Sequence, residues 1–264
     1  MGSGRKFGFE CEIVGGTRLA CELLHDDGLI ADPHLHHYHC SCPTCATDSR
    51  FLLHAQDDCT VEGEIVSRIL EHGSDEADRA ISGLSSALLK ARAATSTAGG
   101  FHVHVDRRDL DGLDVQRVWR LFLRYQDDLA DLASTRFDDV RSYNYRCSER
   151  DIYAVPWRNG LWSDTDEALL TGTVVDMHGS RGQWLWGTPY GTFEFRLWNA
   201  TVAEWRMRLA TGMSVAIVDA AKAGITVSKD DERPLEDVVG DFMDEPTWAG
   251  VIRQRAHKEV LVDA

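Results

Sequence analysis

The stretch Gly100-Phe101-His102-Val103-His104-Val105-Asp106 constrains what this chain can fold into. Successive side chains of a strand point to opposite faces, so Phe101, Val103 and Val105 share one face while His102, His104 and Asp106 share the other. One face must pack, and the other must meet something polar.

The same alternation recurs in three further stretches. In Phe7 to Val14, Phe9, Cys11 and Ile13 line an apolar face and leave Glu10 and Glu12 on the other. In Thr60 to Ser67, Val61, Gly63 and Ile65 alternate with Glu62 and Glu64, and in Gly191 to Asn199, Phe193, Phe195 and Leu197 alternate with Glu194 and Arg196. Any one of these alone reads as an ordinary strand with a solvated face. Taken together they are more selective, because a merely wet face mixes Thr, Ser, Lys and Gln. These positions hold five Glu, two His and one Arg, the side chains that bind divalent metal and phosphate.

At 264 residues and 43% hydrophobic content the chain can build one sizeable core, and no linker divides it, so a single domain over residues 1–264 is expected. It has no run of eighteen apolar residues and no apolar signal region at its start, which predicts a soluble, cytoplasmic protein with no membrane partner. A net charge of -15 argues against non-specific binding to nucleic acid and allows a cationic or amine-bearing substrate. Seven cysteines, an odd number, do not suggest a disulfide framework.

Residues 32–59 form a Cys/His-rich insertion. Cys40, Cys42 and Cys45, preceded by His39 and with His34, His36 and His37 nearby, suit a structural zinc ion, which needs four thiolate or imidazole ligands in tetrahedral array. The three cysteines are the first ligands, with His39, His36 or Cys59 as the fourth. A loop of free thiols and an iron-sulfur cluster are the competing readings.

Helical spacing predicts helices over Asp75–Ala94, Asp114–Ala133 and Val202–Ala223, the last behind a capping box of Thr201 and Glu204. Pro234–Val262 reads as two short helices broken at Glu245-Pro246, Thr17–Leu24 as a short strand or a helical turn, and Ala55–Thr60 as a turn, where Asp57 or Asp58 could touch substrate. Residues Arg136–Gly187 lack sustained periodicity and read as long loops. Arg141, Arg146 and Arg181 in them are candidates to clamp phosphate or carboxylate, although each singly reads as a surface ion pair.

The order Gly8-Phe9-Glu10-Cys11-Glu12, Val61-Glu62-Gly63-Glu64-Ile65, Gly100-Phe101-His102-Val103-His104 and Thr192-Phe193-Glu194-Phe195-Arg196 resembles the amidoligase family, similar in its catalytic sheet to glutamine synthetase and glutamate-cysteine ligase. The resemblance spans residues 7 to about 200. It implies an α+β fold: a curved, mainly antiparallel sheet with helices on its convex side, and a concave face that holds ATP, Mg2+ and a carboxylate to be joined to an amine. It further implies Glu10, Glu12, Glu64, His102 and Glu194 as Mg2+ ligands, with Glu62 a weaker addition. His104 faces the nucleotide phosphates, and Arg196 serves the transferring phosphate or the substrate. Glu194, His104 and Arg196 are then the catalytic set, with Arg181 a further nucleotide contact. Substrates of this class are small molecules, peptides or proteins.

Two readings compete with the ligase. His-x-His on a strand also suits a metal-dependent hydrolase, but that chemistry wants more histidines and an aspartate on the same site, where this chain supplies glutamates and an arginine. A non-catalytic zinc-containing binding module would leave the intact acidic ligand set unexplained.

Overall fold

The computed structural model describes residues 3–37, 50–58, 61–95, 99–133 and 184–262, with side chains described as far as residue 256. Each alternating stretch forms a strand whose apolar face is buried. The strands are β1 (Lys6–Ile13), β2 (Leu53–Gln56), β3 (Gly63–Ser67), β4 (Leu70–Glu71), β5 (Phe101–Asp106), β6 (Leu185–Gly187) and β7 (Thr192–Phe195). They make one seven-stranded sheet in the order β2-β3-β1-β5-β7-β6, with β4 also paired to β1. Every strand pair is antiparallel.

The helices are α1 (Thr17–Asp26), α2 (Asp75–Lys90), α3 (Gly112–Ala133), α4 (Glu204–Lys222), α5 (Leu235–Val239) and α6 (Glu245–Val262), with a 3-10 turn at Gly240–Phe242 between the last two. On the apolar face of the sheet, Phe9 stacks on Phe101 with ring centroids 5.3 Å apart. From α3, Trp119 meets Phe193 and Phe122 meets Phe195 edge-on, each at 6.1 Å. Helix α4 lies against β5 and β1, α2 packs on α4, and α1 packs on α2. The close crossing of α6 over α4 depends on Gly212, where a Cβ would stand 1.7 Å from Thr247 Oγ1. All of this apolar packing falls on one face of the sheet, which leaves the other to the charged residues.

Several sequence expectations are corrected. Thr17–Asp26 is a helix, because Thr17, Ala20, Cys21 and Leu24 recur at helical spacing and are all buried; it starts after Gly16, whose φ of 81° is open to glycine at little cost. Ala55 and Gln56 belong to a strand and not to a turn, since Leu53 and Ala55 are buried and the pair continues the sheet beyond β3. Glu62 precedes β3, which begins at Gly63. The capping box does not form: α4 begins at Glu204, Thr201 Oγ1 accepts a bond from Ala203 N at 3.1 Å, and the Glu204 carboxylate is drawn to Arg208 at 2.9 Å. The end of the chain is one short helix and one of 18 residues. Pro246 does not break the second, because it sits in the first turn, where Asp244 caps by accepting from Thr247 N at 3.0 Å. Asp111 and Asp114 cap the start of α3 reciprocally, at 2.8 and 3.3 Å.

Candidate metal and catalytic site

The strand register decides which of the charged residues meet. Pairing of β1 with β5 sets Glu10 opposite His102 and Gly8 opposite His104. Pairing of β5 with β7 sets His104 opposite Glu194, and pairing of β1 with β3 sets Glu12 opposite Glu64. His102 Nδ1 therefore lies 3.2 Å from Glu10 Oε2 and 3.8 Å from Glu194 Oε1, while His104 Nε2 lies 3.2 Å from Glu10 Oε1 and 4.0 Å from Glu194 Oε1. Arg196 follows the end of β7, is tied by its backbone N to Trp184 O at 2.8 Å, and donates to Glu194 Oε1. Glu12 accepts a 2.5 Å bond from Gly100 N, and Gln56 donates to Glu64.

This patch is buried. His102 is 1% exposed and Glu194 2%, and Glu12, Glu64 and Arg196 are also buried. Glu10 and His104 are partly open to solvent. Burying four carboxylates on adjoining strands costs free energy unless each finds compensation. Burial pushes the Glu10 carboxyl up, but hydrogen bonds and charge from His102 and His104 outweigh it and hold Glu10 well below the usual carboxylate range. Burial pulls His104 down, and the bond and charge of Glu10, with Glu194 behind it, more than reverse this and raise it. Glu64 has no hydrogen bond to a histidine: burial and then the Glu10 charge push it up to about 7, against the Gln56 hydrogen bond and the His102 charge.

Glu10, His102 and Glu194 offer ligand atoms that all lie within 4.8 Å of one another, the one such group among the described residues. His102 Nε2 is buried without a hydrogen-bond partner, 3.7 Å from Glu12 Oε1. A divalent cation fits this donor set, since carboxylate oxygens suit Mg2+ and an imidazole beside them extends the range to transition metals.

Of the residues singled out from sequence, Glu10, Glu12, Glu64, His102, His104, Glu194 and Arg196 share one patch. Glu62 is exposed ahead of β3 and joins no cluster there. Cys40, Cys42, Cys45, His39, Cys59, Arg141, Arg146 and Arg181 lie outside the described residues. Among the described residues of the 32–59 stretch, His36 pairs with Asp32 at 2.9 Å and His37 with Asp57 at 3.1 Å. Sequence reasoning missed Gln56, although Leu53-His54-Ala55-Gln56 carries the same period-two signal in a run too short to stand out. It also missed a cleft of about 220 Å3 beside Glu10 and His104, walled by Gly8, Val66, Arg68, Arg108 and Thr192. Its floor is open because Gly8 contributes no side chain opposite His104. Arg108 is fixed at this cleft by a two-pronged pair with Asp106, at 2.7 and 2.8 Å.

No family model and no curated protein matches this chain. Among solved structures it aligns with the complex between the prokaryotic ubiquitin-like protein Pup and its ligase PafA, with 11% identity and a TM-score of 0.37, over 91% of this chain. The chain spans about half of that one, 51%. At that level of superposition the likeness carries no weight for function. No helix among the described residues is long and apolar enough to cross a membrane.

Proposed function

We propose that this chain is an ATP- and Mg2+-dependent carboxylate-amine ligase, forming an amide bond through an acyl phosphate. The observation that supports this best is the trio of Glu10, His102 and Glu194, with His102 and Glu194 buried and His104 and Arg196 at its edge. Carboxylates in this number, one guanidinium and no aspartate in the trio suit phosphate chemistry better than hydrolysis at a zinc-bound water.

In this reading a carboxylate oxygen of the substrate bonds to the γ-phosphorus of ATP as the bond to ADP breaks, and an amine then displaces phosphate from the acyl carbon. Mg2+ held by Glu10, His102 and Glu194 would supply charge neutralisation at the phosphate oxygens. Glu12 and Glu64 offer a second pair of oxygen donors one step along the same face. His104, whose protonated form Glu10 favours, stands beside the cleft, where its ring N–H would donate to a phosphate oxygen. Arg196, now bonded to Glu194, offsets the charge that develops on the transferring group. The cleft lined by Gly8, Arg68 and Arg108 is the place for the nucleotide. The whole chain forms one catalytic domain in this proposal. Within residues 32–59, whose residues 53–56 join the sheet as β2, Cys40, Cys42, Cys45 and His39 hold a structural zinc ion, on the strength of their spacing alone.

The test is calorimetric titration of a non-hydrolysable ATP analogue with and without Mg2+ into the wild type and Glu10→Gln. Saturable Mg2+-dependent binding that the substitution removes is the expected result. Absence of nucleotide binding at any Mg2+ concentration would overturn the ligase reading and favour the hydrolase or the non-catalytic module.

A further inference from the structure

His102 has carboxylates beside both of its ring nitrogens, and the two sides are unequal. Nδ1 lies 3.2 Å from Glu10 Oε2, within hydrogen-bond reach, and 3.8 Å from Glu194 Oε1. Nε2 lies 3.7 Å from Glu12 Oε1, beyond that reach, and is buried without a partner. A neutral imidazole carries one N–H and one lone pair, so one nitrogen donates and the other accepts. The N–H therefore belongs on Nδ1, where it meets Glu10. The lone pair is left on Nε2 beside Glu12, acceptor against acceptor in the interior.

Glu12 is fixed firmly in this position. Its main chain and its side chain both hold Gly100: Glu12 N donates to Gly100 O at 3.0 Å, and Oε2 accepts from Gly100 N at 2.5 Å. Gly99 packs closely on it, since a Cβ there would stand 3.3 Å from Glu12 Cβ. Oε2 is thereby engaged, and Oε1 is the oxygen beside His102.

The trio of Glu10, His102 and Glu194 is a complete donor set only in the other tautomer. Nδ1 is the ring atom beside Glu10 and Glu194, and it can offer a lone pair to a cation only after giving up its proton. We propose that Glu12 is a positioning residue that makes this exchange possible: when the trio takes a divalent cation, the His102 proton passes from Nδ1 to Nε2, and Glu12 Oε1 accepts the new Nε2–H. One N–H bond breaks and one forms, so the imidazole stays neutral and no proton is lost overall. Closing the gap from Nε2 to Oε1 by less than about 1 Å brings the pair into hydrogen-bond range. A ligating histidine whose other N–H is held by a carboxylate is fixed in tautomer and ring orientation and is made a better donor. Glu12 thus has a task other than the direct ligation that the sequence resemblance implies. The inference rests on the metal-binding part of the ligase reading.

Nitrogen-15 NMR of the imidazole rings in the full chain, recorded at about pH 8 where a free imidazole is neutral, reads the tautomer as Mg2+ is added. The His102 signals are identified by their loss in His102→Asn. Wild type should show Nδ1–H without Mg2+ and Nε2–H once Mg2+ saturates. In Glu12→Gln the amide oxygen can keep the Gly100 bond, which turns the NH2 toward Nε2 as a donor to its lone pair. His102 is then held as Nδ1–H at Mg2+ concentrations that saturate wild type, and Mg2+ binding weakens by about tenfold or more. Glu64→Gln removes the same charge from a neighbour that bonds Gln56, and it should keep the switch. Circular dichroism checks that both variants fold. A wild-type His102 that stays Nδ1–H in saturating Mg2+, one that is Nε2–H with and without Mg2+, or a Glu12→Gln variant that switches as wild type does would each overturn the proposal. Absence of Mg2+ binding to wild type would overturn it together with the metal site. The switch in a protein that binds no ATP analogue would uphold it and remove the ligase reading alone.

Discussion

Two clusters of charge stand at neighbouring places on the same strands, and they are built on opposite principles. Around Arg5, Asp109, Asp219 and Lys222, cations and carboxylates meet in nearly matched number, and the guanidinium has almost every N–H engaged. Around Glu10, Glu12, Glu64 and Glu194, four buried or half-buried carboxylates share one arginine and two imidazoles. The first cluster ties the start of β1 to residues more than a hundred positions away and stabilises the fold. The second carries an excess of negative charge that the protein alone does not satisfy. A folded chain keeps such an excess where a ligand of opposite charge offsets it.

The largest effect expected from disturbing this contrast is on activity. On the ligase proposal, Glu10→Gln or Glu194→Gln should lower amide-forming turnover by at least a factor of about a hundred, as removal of a charge-stabilising group does elsewhere. The far-ultraviolet spectrum should be unchanged, as read by ADP release and circular dichroism. Retention of full turnover in both variants would break the assignment. Arg196→Lys should cost nearly as much, because one ammonium cannot replace a planar pair of donors.

The opposite outcome is expected in the paired cluster. Arg5→Leu leaves Asp219 without its cation and should destabilise the chain by about 3–5 kcal/mol, as breaking a buried pair does, measured by denaturant unfolding. A variant as stable as wild type would show that the network contributes nothing.

Glu64 sharpens the comparison from the other side. Its folded value of about 7 lies above the ordinary 4.5, so the folded state holds the proton more tightly than the unfolded one. Its contribution to stability is full below the ordinary value and is lost as the pH rises through 7. Glu64→Gln, measured in chelator, should therefore match wild type below pH 4.5 and exceed it at pH 8 by on the order of 3 kcal/mol at most. An equal gap at both pH values would show that Glu64 ionises freely in the fold.

The smallest effect concerns Asp109, partly exposed and held at about 2 against an ordinary 3.8. Here stability is present above the ordinary value and falls as the pH drops toward 2, so the Arg5 latch should weaken only in strong acid. Loss of this acid transition in Asp109→Asn checks it.

Much of this was legible in the chain because side chains in a strand alternate with a period of two. Phe9, Cys11 and Ile13 had to part from Glu10 and Glu12, and Phe101, Val103 and Val105 from His102 and His104, whatever the partners of those strands. Shorter runs were harder to read, and β2 escaped notice because four residues hold only two alternations. Glu62 was misjudged for the same reason: the pattern ran through Val61, but the strand starts at Gly63.

The polar face and its ligand types were thus decided by sequence alone, through local stereochemistry. Register, and everything that depends on it, was decided only by the tertiary structure. A strand's own residues do not say which neighbour lies opposite, so nothing local could separate the trio of Glu10, His102 and Glu194 from the pair of Glu12 and Glu64. Nor could it bring Asp219 to Arg5 across 214 positions, because contacts at that separation form only when the sheet and α4 have packed.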